Sequence, residues 1–103
     1  MKGRDLVAAE KNFENKVKEI LKSKGAYFVK QFGCAFSKSG VPDLLVCYKG
    51  RFIAVELKAE KGEPSALQLY NLDEIRKAGG YGFLLYPKDL PIFLNFLTGL
   101  ENE

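Results

Sequence analysis

Between Ser39 and Lys58 the chain reads SGVPDLLVCYKGRFIAVELK, its most apolar stretch, yet Asp43, Glu56 and Lys58 stand there among Leu, Val, Ile and Ala. Two strand-like segments, DLLVCY and RFIAVELK, flank Lys49-Gly50. A two-residue hairpin loop at Lys49-Gly50 pairs Tyr48 with Arg51, Leu45 with Ala54 and Asp43 with Glu56. Two carboxylates then face each other with Cβ atoms about 5 Å apart. The period of two puts Lys58 on the same face as Glu56.

Like charges opposite each other destabilise a sheet, and a cation between them reverses the sign. Mg²⁺ usually takes one or two carboxylates and fills its octahedron with water and phosphate, so Asp43 and Glu56 are candidate Mg²⁺ ligands. The backbone carbonyl of Leu57 is a candidate third ligand. Lys58 beside the ion is placed to orient or deprotonate a water, or to steady a phosphate oxygen. Taken singly, each residue has a simpler explanation. Asp43 opens a strand after Pro42, and Glu56 and Lys58 form a solvated edge.

The elements around this hairpin are legible from periodicity. Leu6, Phe13, Val17, Ile20 and Leu21 recur at helical spacing over residues 5–23, with lysines on the other face, and Gly25 ends the pattern. AYFVKQF is a strand, and GCAFSKSGVP a loop. After the hairpin comes a second loop, AEKGEP. Ser65 caps a helix reaching to about Ala78, which Gly79-Gly80 closes. YGFLLY is an apolar strand, and Asp89 caps a last helix, LPIFLNFLTGL, with Pro91 tolerated in its first turn. The order αβββαβα predicts an α/β fold, a small mixed sheet of about four strands flanked by helices.

Composition narrows the chemistry. The 103 residues fit one ordinary domain spanning residues 1–103, and 47% apolar residues suffice for a core. The net charge of +3 permits a nucleic-acid partner without demanding one. With no histidine, Ser-His-Asp and Cys-His triads and every His-based nuclease mechanism are excluded. Cys34 and Cys47 alone complete neither a zinc site nor a disulfide framework and read as buried, reduced thiols. The N-terminus is charged, without the apolar core of a signal peptide, and no run approaches a membrane span. A soluble, cytoplasmic protein without membrane contact is expected.

The run Gly40-Val41-Pro42-Asp43, twelve residues, then Glu56-Leu57-Lys58 resembles the signature of the PD-(D/E)xK nucleases, most closely the stand-alone, phage-type VRR-NUC domains. The order of elements is also similar to that of archaeal Holliday-junction resolvases. Two flanking segments extend the resemblance over residues 14–82. In the first, Glu14 precedes Val17, Leu21 and Gly25 as in the family's opening helix, which implies a supporting carboxylate for the metal at Glu14. The plainer alternative is a solvent-facing helix glutamate, and Glu10, one turn earlier, is a second candidate. In the second, Ser65-Ala-Leu-Gln68 falls where the family carries a glutamine near the scissile phosphate. Ser65 and Gln68 also form a capping box. Both roles are compatible, because a helix N-terminus near a metal is itself an anion site.

The resemblance implies a restriction-endonuclease-like core and a Mg²⁺-dependent endonuclease, with Mn²⁺ as substitute, acting on branched, flap or four-way junction DNA. Lys30, Lys38 and Lys61, in or beside the loops that rim the carboxylates, fit a phosphate path. Lys11, Lys16, Lys18, Lys22 and Lys24 read as the solvated face of the first helix. With no base-reading element, recognition by shape and phosphate is expected rather than by sequence. The alternative is a non-catalytic nucleic-acid-binding or scaffold domain on the same fold. A restriction-type enzyme is disfavoured, because 103 residues leave little room for a separate reading element. In the last helix Leu90, Ile92, Phe93, Leu94, Phe96, Leu97 and Leu100 surround most of the circumference. That predicts a homodimer with residues 90–100 in its interface.

Overall fold

A computed structural model describes residues 3–32 and 38–103, with side chains from Val7 onward in the first segment. Cys34 and the side chain of Leu6 lie outside the described residues. Helix α1 spans Gly3–Ser23, strand β1 Tyr27–Lys30, β2 Leu44–Tyr48 and β3 Arg51–Leu57. Helix α2 spans Ala66–Lys77, β4 Tyr81–Leu85 and α3 Leu90–Glu101, with a 3-10 turn Pro87–Asp89 before α3. The αβββαβα order and the restriction-endonuclease-like α/β core match the expectation.

The four strands lie in sequence order, β1-β2-β3-β4, antiparallel except for the parallel β3–β4 pair. The α2 crossover makes that parallel pair possible. Tyr48 pairs with Arg51 and Leu45 with Ala54, the register expected from a two-residue loop. Lys49 and Gly50 both have positive φ, 50° and 76°, as a type I′ turn requires.

Strand alternation divides the sheet into two faces. Leu44, Val46, Tyr48, Ile53, Val55 and Leu57 point to the core formed with Phe13, Val17 and Leu21 of α1 and Phe93, Leu97 and Leu100 of α3. The opposite face is covered by α2 over β4 and β3. Tyr27, Val29, Cys47 and Phe52 are exposed on the part of it that β1, β2 and the start of β3 carry. Cys47 is therefore an exposed thiol rather than a buried one, because it points to the face that α2 does not reach.

Two expectations about the C-terminus are refined. Asp89 makes no side-chain cap to α3. Its Oδ2 accepts from the Tyr86 N–H at 3.1 Å and closes the 3-10 turn instead. The apolar circumference of α3 is largely covered within the chain itself. Leu90, Phe93, Leu97 and Leu100 are buried, and Phe83 packs against Phe93 and Phe96 at centroid distances of 5.3 and 4.8 Å. Tyr81 adds a third ring contact to Phe96 at 4.9 Å. Ile92 is left 66% exposed. The sheet therefore covers more of this helix than a wheel projection suggests.

Candidate metal and nucleic-acid site

The hairpin register brings Asp43 to the end of β2 beside Glu56 on β3. Asp43 lies one residue before the first ladder pair, Leu44–Val55. Its Oδ2 accepts from the backbone N–H of Leu57 at 2.8 Å, which anchors the carboxylate across the strand end. Within a strand, the N–H and C=O of one residue leave on the same side. The Leu57 carbonyl thus faces the edge where β2 has ended and Asp43 stands. Gly40, in the loop before Asp43, has φ +77° and lies where a Cβ would come within 2.7 Å of Leu67 Cγ. The loop therefore packs tightly on the first turns of α2. Asn71 Nδ2 reinforces this by donating to the Ser39 carbonyl at 3.3 Å.

Glu56 is only 2% exposed. Its Oε2 lies 3.6 Å from Lys58 Nζ, and its Oε1 has no hydrogen-bond partner. Burial, then the neighbouring Asp43 carboxylate, push the Glu56 carboxyl up to about 8 against the opposing pull of Lys58. A buried carboxylate with an unpartnered oxygen, facing a second carboxylate, is costly unless it is protonated or meets a cation.

Glu14 is buried on α1 and faces the same end of the sheet. Lys30, the last residue of β1, donates to Glu14 Oε1 at 2.6 Å and reaches Asp43 Oδ1 at 3.5 Å. Lys18, one turn after Glu14, sits 3.0 Å from Oε2. Burial raises the Glu14 carboxyl, but the two lysines outweigh it and hold the group below the usual carboxylate range. Lys30 responds in the opposite sense. Burial lowers its ammonium, and Glu14 and Asp43 together hold it above its ordinary value. Lys30 thus lies inside the acidic cluster as its counter-ion, whereas its sequence position suggested a loop-side phosphate contact. Glu14, rather than Glu10, carries the direct link to Asp43 through Lys30. Glu10 lines an open groove of about 280 Å³ with Glu14, Lys30 and Asp43.

The remaining expected residues lie around this centre. Ser65 Oγ accepts from the Gln68 N–H at 3.1 Å, and Gln68 Oε1 accepts from the Ser65 N–H at 2.9 Å, so the capping box is complete. The visible role of Gln68 is therefore local. Lys38 and Lys61 are exposed, on the loops that precede β2 and α2. Among the described residues, no group of three or more Asp, Glu, Cys or His side chains is arranged to hold a metal ion. The unpartnered Glu56 oxygen, with the Asp43 carboxylate as neighbour, is an atom that a hard cation would satisfy. Among the described residues no helix is long and apolar enough to cross a membrane.

The sequence matches no family model, and no curated protein matches it. Among solved structures, the fold is similar to that of a chain described as a VRR_NUC domain, with a TM-score of 0.66 and 25% sequence identity. The match covers 91% of this chain and 91% of that one. The likeness supports a PD-(D/E)xK-like superfamily fold without distinguishing among its branches.

Proposed function

We propose that this protein is a divalent-metal-dependent endonuclease of the VRR-NUC type that hydrolyses DNA phosphodiester bonds, with selectivity for branched, flap or four-way structures. The observation that carries the reading is the buried, unpartnered Glu56 oxygen beside Asp43, with Lys58 3.6 Å from the other oxygen. The fold likeness to a VRR_NUC domain supports it independently.

In this reading Asp43, Glu56 and the Leu57 carbonyl would hold Mg²⁺ or Mn²⁺. When bound, the ion supplies charge stabilisation at the phosphate and acidifies a water. Lys58 orients that water or takes its proton, and steadies a non-bridging oxygen as negative charge grows on the phosphate. Attack at phosphorus breaks the P–O bond to the leaving oxygen, which collects a proton from solvent. No covalent enzyme intermediate is needed. Glu14 supports the site through Lys30, which fixes the position of Asp43. Lys38, Lys61 and the N-terminus of α2 at Ser65–Gln68 contact phosphates along the strand, reading shape rather than sequence. The working assembly is a homodimer that presents two such sites to one branched DNA.

The deciding experiment is a cleavage assay on duplex, flap, splayed and four-way DNA with Mg²⁺, Mn²⁺ or EDTA. Metal-dependent cleavage biased to branched substrates is expected. Tight DNA binding without cleavage under any metal would establish the non-catalytic binding domain instead. Light scattering tests the assembly, and a mass near the chain's own 11.5 kDa at micromolar concentration refutes the dimer.

A further inference from the structure

A cleft opens just past the carboxyl end of β4. It holds about 500 Å³ and is lined by Glu60, Tyr86, Pro87 and Lys88. Its position follows from the topology. Strands β3 and β4 run parallel, with Leu57 opposite Leu85. The Lys58 N–H donates to the Leu85 carbonyl at 3.0 Å, so Lys58 and Tyr86 leave the carboxyl ends of adjacent strands side by side. That end of a parallel strand pair is where open α/β sheets bind ligands. Tyr86 is held there at two points. Its N–H is tied to Asp89, and its hydroxyl donates to the Gly62 carbonyl at 2.8 Å. With the hydroxyl anchored, the ring forms a fixed wall of the cleft. Lys88 is exposed, and its Nζ lies over the face of the Tyr86 ring, 5.8 Å from the centroid, so an entering base displaces this ammonium toward the nucleic-acid backbone.

We infer that this cleft is a subsite for one unpaired nucleotide of the substrate strand, its base stacked on Tyr86 and its phosphate met by Lys88. The inference rests on the proposed nuclease reading and adds the feature of DNA that the site selects. The volume lies in the range of small-molecule pockets. An aromatic wall with an exposed lysine over it combines the stacking surface and the positive charge that bind single-stranded nucleic acid without sequence preference. Glu60 on the same rim repels phosphate and accepts from a base amino group. The two charges therefore set the orientation, with the base toward Glu60 and the backbone toward Lys88. A paired base cannot enter, because its faces are already stacked in the duplex. The cleft thus supplies a physical reason for preferring branched or frayed DNA, at the end of the strand that neighbours the one leading to Lys58.

The test uses the full chain in EDTA, with fluorescein-labelled DNA as either a splayed-arm duplex or a fully paired duplex of equal length. Tyr86→Leu is expected to weaken splayed-arm binding about 5- to 100-fold and to leave the paired duplex unchanged. Tyr86→Phe keeps the ring but loses the anchoring bond to Gly62, and is expected to bind the splayed arm less tightly than wild type and more tightly than the Leu variant. Lys88→Ala, at an exposed position, is expected to reduce the salt slope for the splayed probe by about one. Equal weakening of both probes by Tyr86→Leu, weakening of neither, or a Phe variant as weak as the Leu variant overturns the subsite while leaving the nuclease reading intact. A wild-type protein that binds neither probe overturns both.

Discussion

Replacing Glu56 by Gln separates a metal ligand from a structural residue, and its effect can be worked from the site. In the metal-free protein the Glu56 carboxyl titrates near 8, against an ordinary value of 4.5. The folded state therefore holds a proton that the unfolded state releases. Stability contributed by that proton is complete below pH 4.5 and is lost as pH rises toward 8. Each pH unit in that window costs about 1.4 kcal/mol, so the loss by pH 7.5 approaches ~4 kcal/mol as an upper bound. Gln is isosteric with the protonated acid and carries no such penalty. Even a quarter of the bound, ~1 kcal/mol, moves the melting temperature by about 4–8 °C in a domain of this size. Metal-free Glu56→Gln should therefore melt above wild type by at least that margin at pH 7.5, with the gap closing toward pH 4.5. Excess Mn²⁺ should then favour wild type, since a ligand at a hundred times its Kd adds about 2.7 kcal/mol to the state that binds it. Cleavage by the variant should be absent. Scanning calorimetry at several pH values, with EDTA or Mn²⁺, checks the argument. A gap that ignores pH, or a variant less stable than wild type at pH 7.5, refutes it.

Asp43→Asn should abolish cleavage yet melt within a few degrees of wild type, because the Asn oxygen still accepts from the Leu57 N–H. Asp43→Ala strands that donor and should lose about 1–3 kcal/mol in denaturant titration. For Lys58→Ala the rate should fall by ~10²–10⁴-fold while calorimetry still detects Mn²⁺ binding. Normal turnover at saturating metal with collapsed affinity would reverse the role of this residue. Lys30→Met removes the cation shared by Glu14 and Asp43. Its metal-free form should lose roughly 1–2 kcal/mol and bind Mn²⁺ more tightly, because no internal ammonium competes for the carboxylates. Unchanged affinity would mean that Lys30 lies outside the metal's path.

That Asp43 and Glu56 come close was readable before any coordinates, for a local reason. A two-residue turn at Lys49-Gly50 fixes the register, and strand alternation then decides which side chains share a face. The Ser65–Gln68 capping box is local in the same way, since every atom it needs lies within four residues. The place of Lys30 was not readable, because its bonds to Glu14 and Asp43 depend on β1 pairing with β2 and on how α1 lies across both. Sequence spacing makes Lys30 one basic residue among many, whereas packing makes it the counter-ion of an acidic cluster. Cys47 and α3 carry the same lesson in opposite directions. Two cysteines without a zinc or disulfide partner set suggested buried thiols, but the reach of α2 leaves the Cys47 face of β2 bare. A helix apolar nearly all round left open how much of it the chain itself covers, and the Tyr81 and Phe83 rings of β4 take a wide arc while Ile92 stays exposed. The neighbourhood of Tyr86 and Lys58 exists because a twelve-residue helix carries β4 back parallel to β3. Local rules set which side chains alternate and where turns close. Which distant elements come to cover or to pair with them follows from filling one core, a condition on the whole chain that no short window contains.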